Sequence, residues 1–389
     1  MVMAVRREVY LDHAATTPLH PEVQKEMCHI LENTFGNPSS LHFYGRAAKQ
    51  QLELARTRVA ALIGARPEEI IFTSGGTESD NLAVIGAAFA GRSKGRHIIT
   101  SAIEHHAVLD TCVMLARNGF DVTYLPVDKD GFVDPLDVRK AIRRDTVLIT
   151  IMHANNEIGT IEPIPEIGRI AREHEITFHT DAVQTVGYIP VHVDALNVDL
   201  LSLSAHKIYG PKGVGALYIR KGTRIQPLLH GGGQEREYRP GTENLPGIVG
   251  LGKAAEVAAR DLPGESARYR MLCDRLIRGI KERIPDAKLN GHPEQRLPHN
   301  VNFSFCGTKG ECLLVGLDQQ GIAVSTGSAC SSGASQLSHV LKEIGLTPEL
   351  GAGTIRMTVG RSNKEEDIDY VLDALVELVE RQRAFDEKV

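Results

Sequence analysis

The 389-residue chain contains no tryptophan, and phenylalanine and tyrosine bring the aromatic share to only 5%. It has no long apolar run. Its most hydrophobic window, Leu82 to Ala90, is far short of the roughly 20 residues that a membrane-spanning helix needs. The first residues, before Arg6 and Arg7, are too few to form a signal-peptide core, so a cytoplasmic, reducing compartment is expected. Positive charge is not in excess: 44 basic residues face 49 acidic ones, for a net charge of −5. That balance provides no electrostatic footprint for direct nucleic-acid binding or for an anionic membrane surface. Six cysteines, at 28, 112, 273, 306, 312 and 330, show no C-x-x-C pair and no zinc-ribbon spacing. A disulfide scaffold is excluded by the length of the chain, and a structural four-cysteine zinc site by the spacing.

What is present is a hydrophobic share of 42% and 37 glycines, enough apolar surface for two domains. Ala48, Leu52, Ala55, Val59 and Leu62 recur at 4-3-4-3 spacing, one face of a helix. Short apolar runs at 70–73, 98–100, 122–125, 147–152, 176–179, 200–203 and 215–219 read as strands. Several lack polar alternation, as expected of strands covered on both faces. Helical patterns at 77–90, 106–118 and 163–174 alternate with them, which predicts an α/β fold with a mostly parallel seven-stranded sheet. Beyond residue 262 the pattern changes to long helices at 266–284 and from 365 onward, flanking short strands at 300–304 and 354–359. A smaller α+β domain is expected there. The division read from the sequence is a large domain over 16–262 and a small one over 1–15 and 263–389.

In open parallel sheets, ligands bind beyond the carboxyl ends of the strands. Five of the seven predicted strand ends carry polar or ionisable groups: Ser74-Gly75-Gly76-Thr77, Glu104-His105-His106, His153 with Asn155 and Asn156, His179 with Asp181 and Gln184, and Ser204-Ala205-His206-Lys207. The Ser-Gly-Gly-Thr turn opening a helix suits an anion, because glycine lets the backbone approach and helix N-termini favour negative charge. A plain tight turn with a capped helix has the same signature. Lys207 at the end of an apolar strand is either a snorkelling surface residue or a partly buried amine able to act as nucleophile or base. Asp181 and His105 have equally plain readings as a helix cap and a core histidine.

Together these residues match the needs of pyridoxal phosphate: a lysine for a Schiff base, a carboxylate for the pyridine nitrogen, a flat side chain over the ring and a helix N-terminus for the phosphate. A metal site built from His105, His153, His179, Asp181 and His206 is a rival reading, but it leaves Lys207 and the glycine turn without a role. Residues 325–336, STGSACSSGASQ, place Cys330 in an exposed loop of small residues. The other five cysteines read as small hydrophobes. Arg356 reads as mid-strand in the small domain, suited either to bidentate capture of a carboxylate or to an edge-strand salt bridge.

With these residues in place, the chain resembles the pyridoxal-phosphate-dependent cysteine desulfurases of the NifS/IscS type. The likeness runs almost end to end, through YLDHAATTP at 10–18, GNPSSLH at 36–42, TSGGTESDN at 73–81, EHHAVL at 104–109, HANNEIG at 153–159, HTDAVQ at 179–184, SAHKIYGPKGVGALY at 204–218, RPGTEN at 239–244 and STGSAC at 325–330. It departs after Cys330, where Ser331, Ser332, Gln336 and Leu337 replace the residues the family often shows.

The resemblance implies fold type I of the pyridoxal-phosphate enzymes. It assigns Lys207 to the Schiff base, Asp181 to the pyridine nitrogen and His105 to the ring face and to proton transfer. Gln184 and Asn156 would hold the phenolic oxygen. Gly76, Thr77, Ser204 and His206 would bind the phosphate, joined by Thr242 of the neighbouring subunit of a homodimer. Arg356, with Asn156, would hold the carboxylate of L-cysteine. Cys330 would receive the sulfur as a persulfide, leaving L-alanine, and pass it to an acceptor such as an iron–sulfur scaffold protein. No resident metal is implied, although Cys330 could transiently ligate an iron–sulfur cluster. Other enzymes of this fold type, such as a selenocysteine lyase or an aminotransferase, and a non-catalytic cluster-holding scaffold are the alternatives.

Overall fold

The computed structural model describes residues 7–326 and 337–386. A two-residue strand, β1 (Val9–Tyr10), begins the described chain. The large sheet follows: β2 (Ile70–Thr73), β3 (His97–Ser101), β4 (Asp121–Leu125), β5 (Thr146–Thr150), β6 (Thr177–Asp181), β7 (Leu200–Ser204) and β8 (Gly215–Ile219). Its order is β2-β8-β7-β6-β5-β3-β4. Five neighbours, β4-β3-β5-β6-β7, pair in parallel, and β8 is antiparallel to both β7 and β2. The seven expected strands are these seven, each within one or two residues, and the sheet is mostly parallel as predicted.

Two-sided burial explains the unalternated strand sequences. Ile70 and Phe72 of β2 join one core with Leu52, Val59, Ile167 and Leu251, while Ile71 joins the opposite core with Leu82, Ala83 and Leu115. Successive strand side chains point to opposite faces, so both must be apolar when helices cover each side.

The second half is built on β10 (Asn300–Phe305), paired antiparallel with β9 (Ala287–Leu289) and β12 (Thr354–Thr358). Leu272, Leu276, Phe303, Leu317, Ile355, Val371 and Leu375 share its core. The remaining strand, β11 (Ile322–Ala323), pairs in parallel with β1, so the first described residues are stitched to this second unit.

One expectation is corrected. The helix predicted from residue 266 begins at Leu245 and runs unbroken to Arg283, with Pro263 inside it. Pro263-Gly264 reads as a breaker because proline forfeits one main-chain hydrogen bond. Here Leu251, Ala254 and Ala255 pack on the first core, and Tyr269, Leu272 and Leu276 on the second. Burial on both sides of the proline outweighs the lost bond.

Candidate active site

The glycine turn after β2 leads into the helix Gly76–Gly91. A Cβ on Gly76 would lie 2.8 Å from Val183 Cγ2, and one on Gly215 would lie 2.7 Å from the carbonyl carbon of Gly75. The turn is therefore packed too closely for side chains at these points. Glu78 Oε2 accepts from Ser74 N at 2.8 Å, and Thr73 Oγ1 meets Ser79 Oγ at 2.7 Å, which ties the turn to the first helical residues. The N–H groups of a first helical turn have no intrahelical acceptor. Facing them across a hollow also lined by Thr16, His206 and Lys212 is Ser204. Ser204 Oγ is buried and has no hydrogen-bond partner among the described residues. This end is built for an anion.

The adjoining cavity, about 400 Å³, is lined by residues from both halves of the molecule, among them Gly76, Thr77, His105, Asn156, Asp181, Gln184, Ser204, His206, Lys207 and Arg356. Asp181 lies at the end of β6, where its Oδ1 accepts from Val183 N at 2.9 Å. Burial pushes its carboxyl above the usual range, opposed by the charges of His105 and Lys207. His105 caps the helix His106–Arg117 by accepting from Ala107 N through Nδ1, at 3.1 Å. Burial lowers its pKa, with Asp181 acting in the other direction. An Nδ1 that accepts leaves Nε2 to carry the proton of the neutral ring.

Lys207 follows β7 in the short turn Ala205–Lys207. Its Nζ donates to the carbonyls of Ala14 and Ala15 at 2.5 and 2.9 Å, and Gln184 Nε2 donates to Ala14 O at 3.0 Å. Arg356, 2% exposed, projects from the middle of β12. It donates through Nη1 to Asn156 O at 3.0 Å and through Nη2 to Asp12 Oδ1 at 2.9 Å. Its Nε is buried without a partner among the described residues.

An anion end, a carboxylate and an amine thus share one cavity. This donor set, with Ser204 Oγ unpaired, fits pyridoxal phosphate: Gly76, Thr77, Ser204 and His206 at its phosphate, Asp181 at its ring nitrogen and Lys207 at its aldehyde.

Ten of the twelve residues singled out from the sequence line this cavity. Thr242 does not; it is exposed in the segment before the helix Leu245–Arg283. Cys330 lies outside the described residues. The chain on either side of it is placed, however. Ser325 pairs with Arg356 through two main-chain hydrogen bonds of 2.7 and 3.1 Å, and His339 lines the cavity.

The histidines of the rival metal reading are otherwise engaged. His179 meets Thr150 Oγ1 at 2.8 Å and Ser202 Oγ at 3.0 Å, and burial lowers its pKa to about 3. His153 Nδ1 meets Thr185 Oγ1 at 3.0 Å. Among the described residues no group of three or more His, Cys, Asp or Glu is arranged to hold a metal ion.

Two further corrections concern residues outside the predicted set. Cys112 and Cys273 are buried as expected, with thiols pushed up to about 12 by burial, but Cys28, Cys306 and Cys312 are exposed. Cys28 falls off the face of its helix that carries the buried Val23 and Ile30. Sequence reasoning also missed Asp12 and the Ala14 and Ala15 carbonyls. Asp12 stands inside a quoted motif, a usable signal, whereas main-chain carbonyls leave none.

The comparisons agree with this geometry. The model of the family described as aminotransferase class-V matches residues 9–371. "Cysteine desulfurase IscS" of Dictyoglomus turgidum is 58% identical, covering 97% of this chain and 96% of its own. The protein of the same name from Methanosarcina thermophila is 55% identical, covering 98% and 94%. Among solved structures, a "NifS-like protein" superposes with a TM-score of 0.90 at 40% identity, over 96% of this chain and 100% of its own. "SspA in complex with cysteine" superposes with a TM-score of 0.81 at 40% identity, over 90% and 98%.

Proposed function

The chain belongs to the aminotransferase class-V family, and from that premise we propose that it converts L-cysteine to L-alanine and takes the sulfur onto Cys330. It is a pyridoxal-phosphate-dependent cysteine desulfurase. The observation that carries the reading is the meeting of Lys207, Asp181, His105 and Arg356 in one cavity, with Ser325 and His339 beside it on either side of Cys330.

When bound, pyridoxal phosphate acts as an electron sink for the carbon skeleton of the amino acid. The chain's own groups do the rest. Arg356 binds the carboxylate of L-cysteine and orients it, with Asn156 beside it. Lys207, half-buried, holds the cofactor and supplies the amine that moves the Cα proton. His105, neutral because it is buried, covers the ring and relays a proton at the substrate thiol. Cys330, as thiolate, attacks the substrate sulfur. The S–S bond forms as the Cβ–S bond breaks, and the electron pair left on Cβ takes a proton to become the methyl group of alanine.

The same reading makes the enzyme a homodimer in which Thr242 of one subunit reaches the phosphate of the other. An exposed apolar patch supports this: Leu31, Phe35, Leu41, Phe43 and Tyr44 cluster near the start of the chain, with Phe35 and Tyr44 rings 4.7 Å apart. Leu41 alone is 89% exposed. Phe43 also meets Tyr44, at 3.9 Å between ring centroids, and an exposed aromatic cluster of this kind marks an interface. The two domains are divided at about residues 16 and 262, with substrate held between them. The persulfide sulfur goes to an iron–sulfur scaffold protein. A free thiol at Cys330 calls for a reducing cytoplasm, and no described helix is long and apolar enough to cross a membrane.

The test is to feed L-cysteine to the purified protein. With a dithiol such as dithiothreitol added to reduce the persulfide and release its outer sulfur as sulfide, alanine and sulfide in equal amounts are expected, with production lost in Cys330→Ala while the cofactor's absorbance remains. Full sulfide production by Cys330→Ala would refute the sulfur transfer.

A further inference from the structure

Arg56 and Glu235 form the most enclosed charge pair outside the cavity. Both lie almost wholly out of solvent, at 2% and 6% exposure. The pairing is bidentate, Nη2 to Oε1 at 2.6 Å and Nη1 to Oε2 at 2.8 Å. It is locked to β2 on both sides. Arg56 Nη1 also donates to Ile70 O at 2.7 Å, and Glu235 Oε2 accepts from Phe72 N at 2.8 Å. The guanidinium lies over the Phe72 ring, 4.8 Å from its centroid. Phe72 is two residues before the glycine turn of the anion end.

Glu235 begins an unusual stretch of backbone. Glu235, Arg236 and Glu237 have φ values of 42°, 56° and 67°, three consecutive non-glycine residues in the left-handed region. Side chains with a Cβ rarely adopt this conformation once, and a run of three persists only where the surroundings impose it. After the run the chain turns back to the anion site. Arg239 Nε donates to Glu78 Oε1 at 3.0 Å, and the other oxygen of Glu78 holds Ser74 N. Gly241 N donates to Gln234 Oε1 at 3.0 Å, closing the loop on itself just before Thr242. Arg56 and Glu235 line no part of the cavity. They reach it through this loop and through β2, which runs straight into the turn.

We propose that the Arg56–Glu235 pair is a positioning device for phosphate recognition: it imposes the left-handed turn that brings Arg239 to Glu78 and thereby holds the Ser74–Gly76 turn open to an anion. This rests on the reading of the site given above. The pair senses the phosphate end alone and has no contact with the ring end.

The experiment titrates the cofactor-free protein with pyridoxal phosphate and, separately, with pyridoxal, which lacks the phosphate. Arg56→Lys and Glu235→Gln are each expected to weaken pyridoxal phosphate about tenfold or more and pyridoxal less than about threefold, with unchanged far-UV circular dichroism. Glu237→Gly, at an exposed position where glycine relieves the left-handed strain, is expected to recover much of that affinity in the Arg56→Lys background. Arg239→Gln, part-exposed, should show the same selective loss and keeps the idea testable if the buried variants do not fold. Unchanged affinity for pyridoxal phosphate, equal weakening of both ligands, or no recovery with Glu237→Gly would overturn the proposal. A wild-type protein that does not prefer pyridoxal phosphate to pyridoxal would instead overturn the reading of the site.

Discussion

Arg356 and Asp12 stand 344 residues apart in the chain, yet Nη2 of one donates to Oδ1 of the other at 2.9 Å inside the cavity wall. The pair joins β12 to the segment that follows β1, and that segment also supplies the Ala14 and Ala15 carbonyls at Lys207 Nζ. One short stretch, residues 12–15, therefore orients both the Arg356 guanidinium and the Lys207 amine.

The arginine's fork geometry leads to the first prediction. Arg356→Lys retains the charge but cannot span Asp12, the Asn156 carbonyl and a substrate carboxylate together. Its KM for L-cysteine is expected to rise by about tenfold or more, equivalent to roughly 1.4 kcal/mol, with a smaller change in kcat. Steady-state kinetics check it. A KM within about twofold of wild type would remove Arg356 from substrate binding.

Lys207→Ala should remain folded, since its Nζ contacts main-chain carbonyls and not the core. Borohydride reduction followed by peptide mass spectrometry should find the cofactor attached at Lys207 in the wild type and nowhere in the variant. Attachment at another lysine would contradict the assignment.

Acid stability follows from the buried histidines. Burial lowers His13, His153 and His206 to about 4 and His179 to about 3, from the ordinary 6.5. Between pH 6.5 and 4 the unfolded chain takes up protons at these positions that the folded chain refuses, so stability falls as pH falls through that window. Glu104 works in the opposite direction. Burial raises it to about 8, so it favours the folded state progressively less as pH rises from 4.5 to 8. Asp80, Glu162, Asp181 and Asp199 are likewise raised by burial, but these five carboxyls are outnumbered by eight histidines that burial lowers, His20, His97, His105 and His299 being the other four. That leaves acid as the destabilising side, at on the order of 1.4 kcal/mol per pH unit for each deeply buried group. Urea midpoints of the cofactor-free protein should drop between pH 6.5 and 4.5. His179→Gln, if it folds, should shallow the slope, and a flat profile in the wild type would count against buried neutral histidines.

The exposed apolar patch provides the last prediction. Phe43→Asp, at a residue 62% exposed in the monomer, costs little in a single subunit but places a charge in the proposed interface. Sedimentation velocity should show a dimer for the wild type and a shift toward monomer for the variant. The variant should also bind pyridoxal phosphate more weakly, the outcome expected of the proposed reach of Thr242 across subunits. A wild-type monomer would sink both expectations.

Much of the fold was legible because its strands are apolar on both faces and end in polar residues. Ile70–Thr73 and Leu200–Ser204 declare themselves by composition, and Thr77, His105, Asp181 and Lys207 are found simply by reading past each strand. The helix through Pro263 was not legible, because a local breaker signal is outweighed by packing on two separate cores. Nor was the Arg56–Glu235 pair, whose members are 179 residues apart and individually resemble surface charges.

The amino-acid sequence by itself determined which chemical groups this protein has and the order in which successive strands deliver them, since period and polarity are local properties. Only the tertiary structure decided which of those groups share a cavity. It turned a main-chain segment at 12–15 into the partner of both Lys207 and Arg356, and it buried His13, His153, His179 and Glu104, which shifts each toward its uncharged form. Those outcomes depend on long-range closure and on desolvation, and neither quantity exists until the chain has folded.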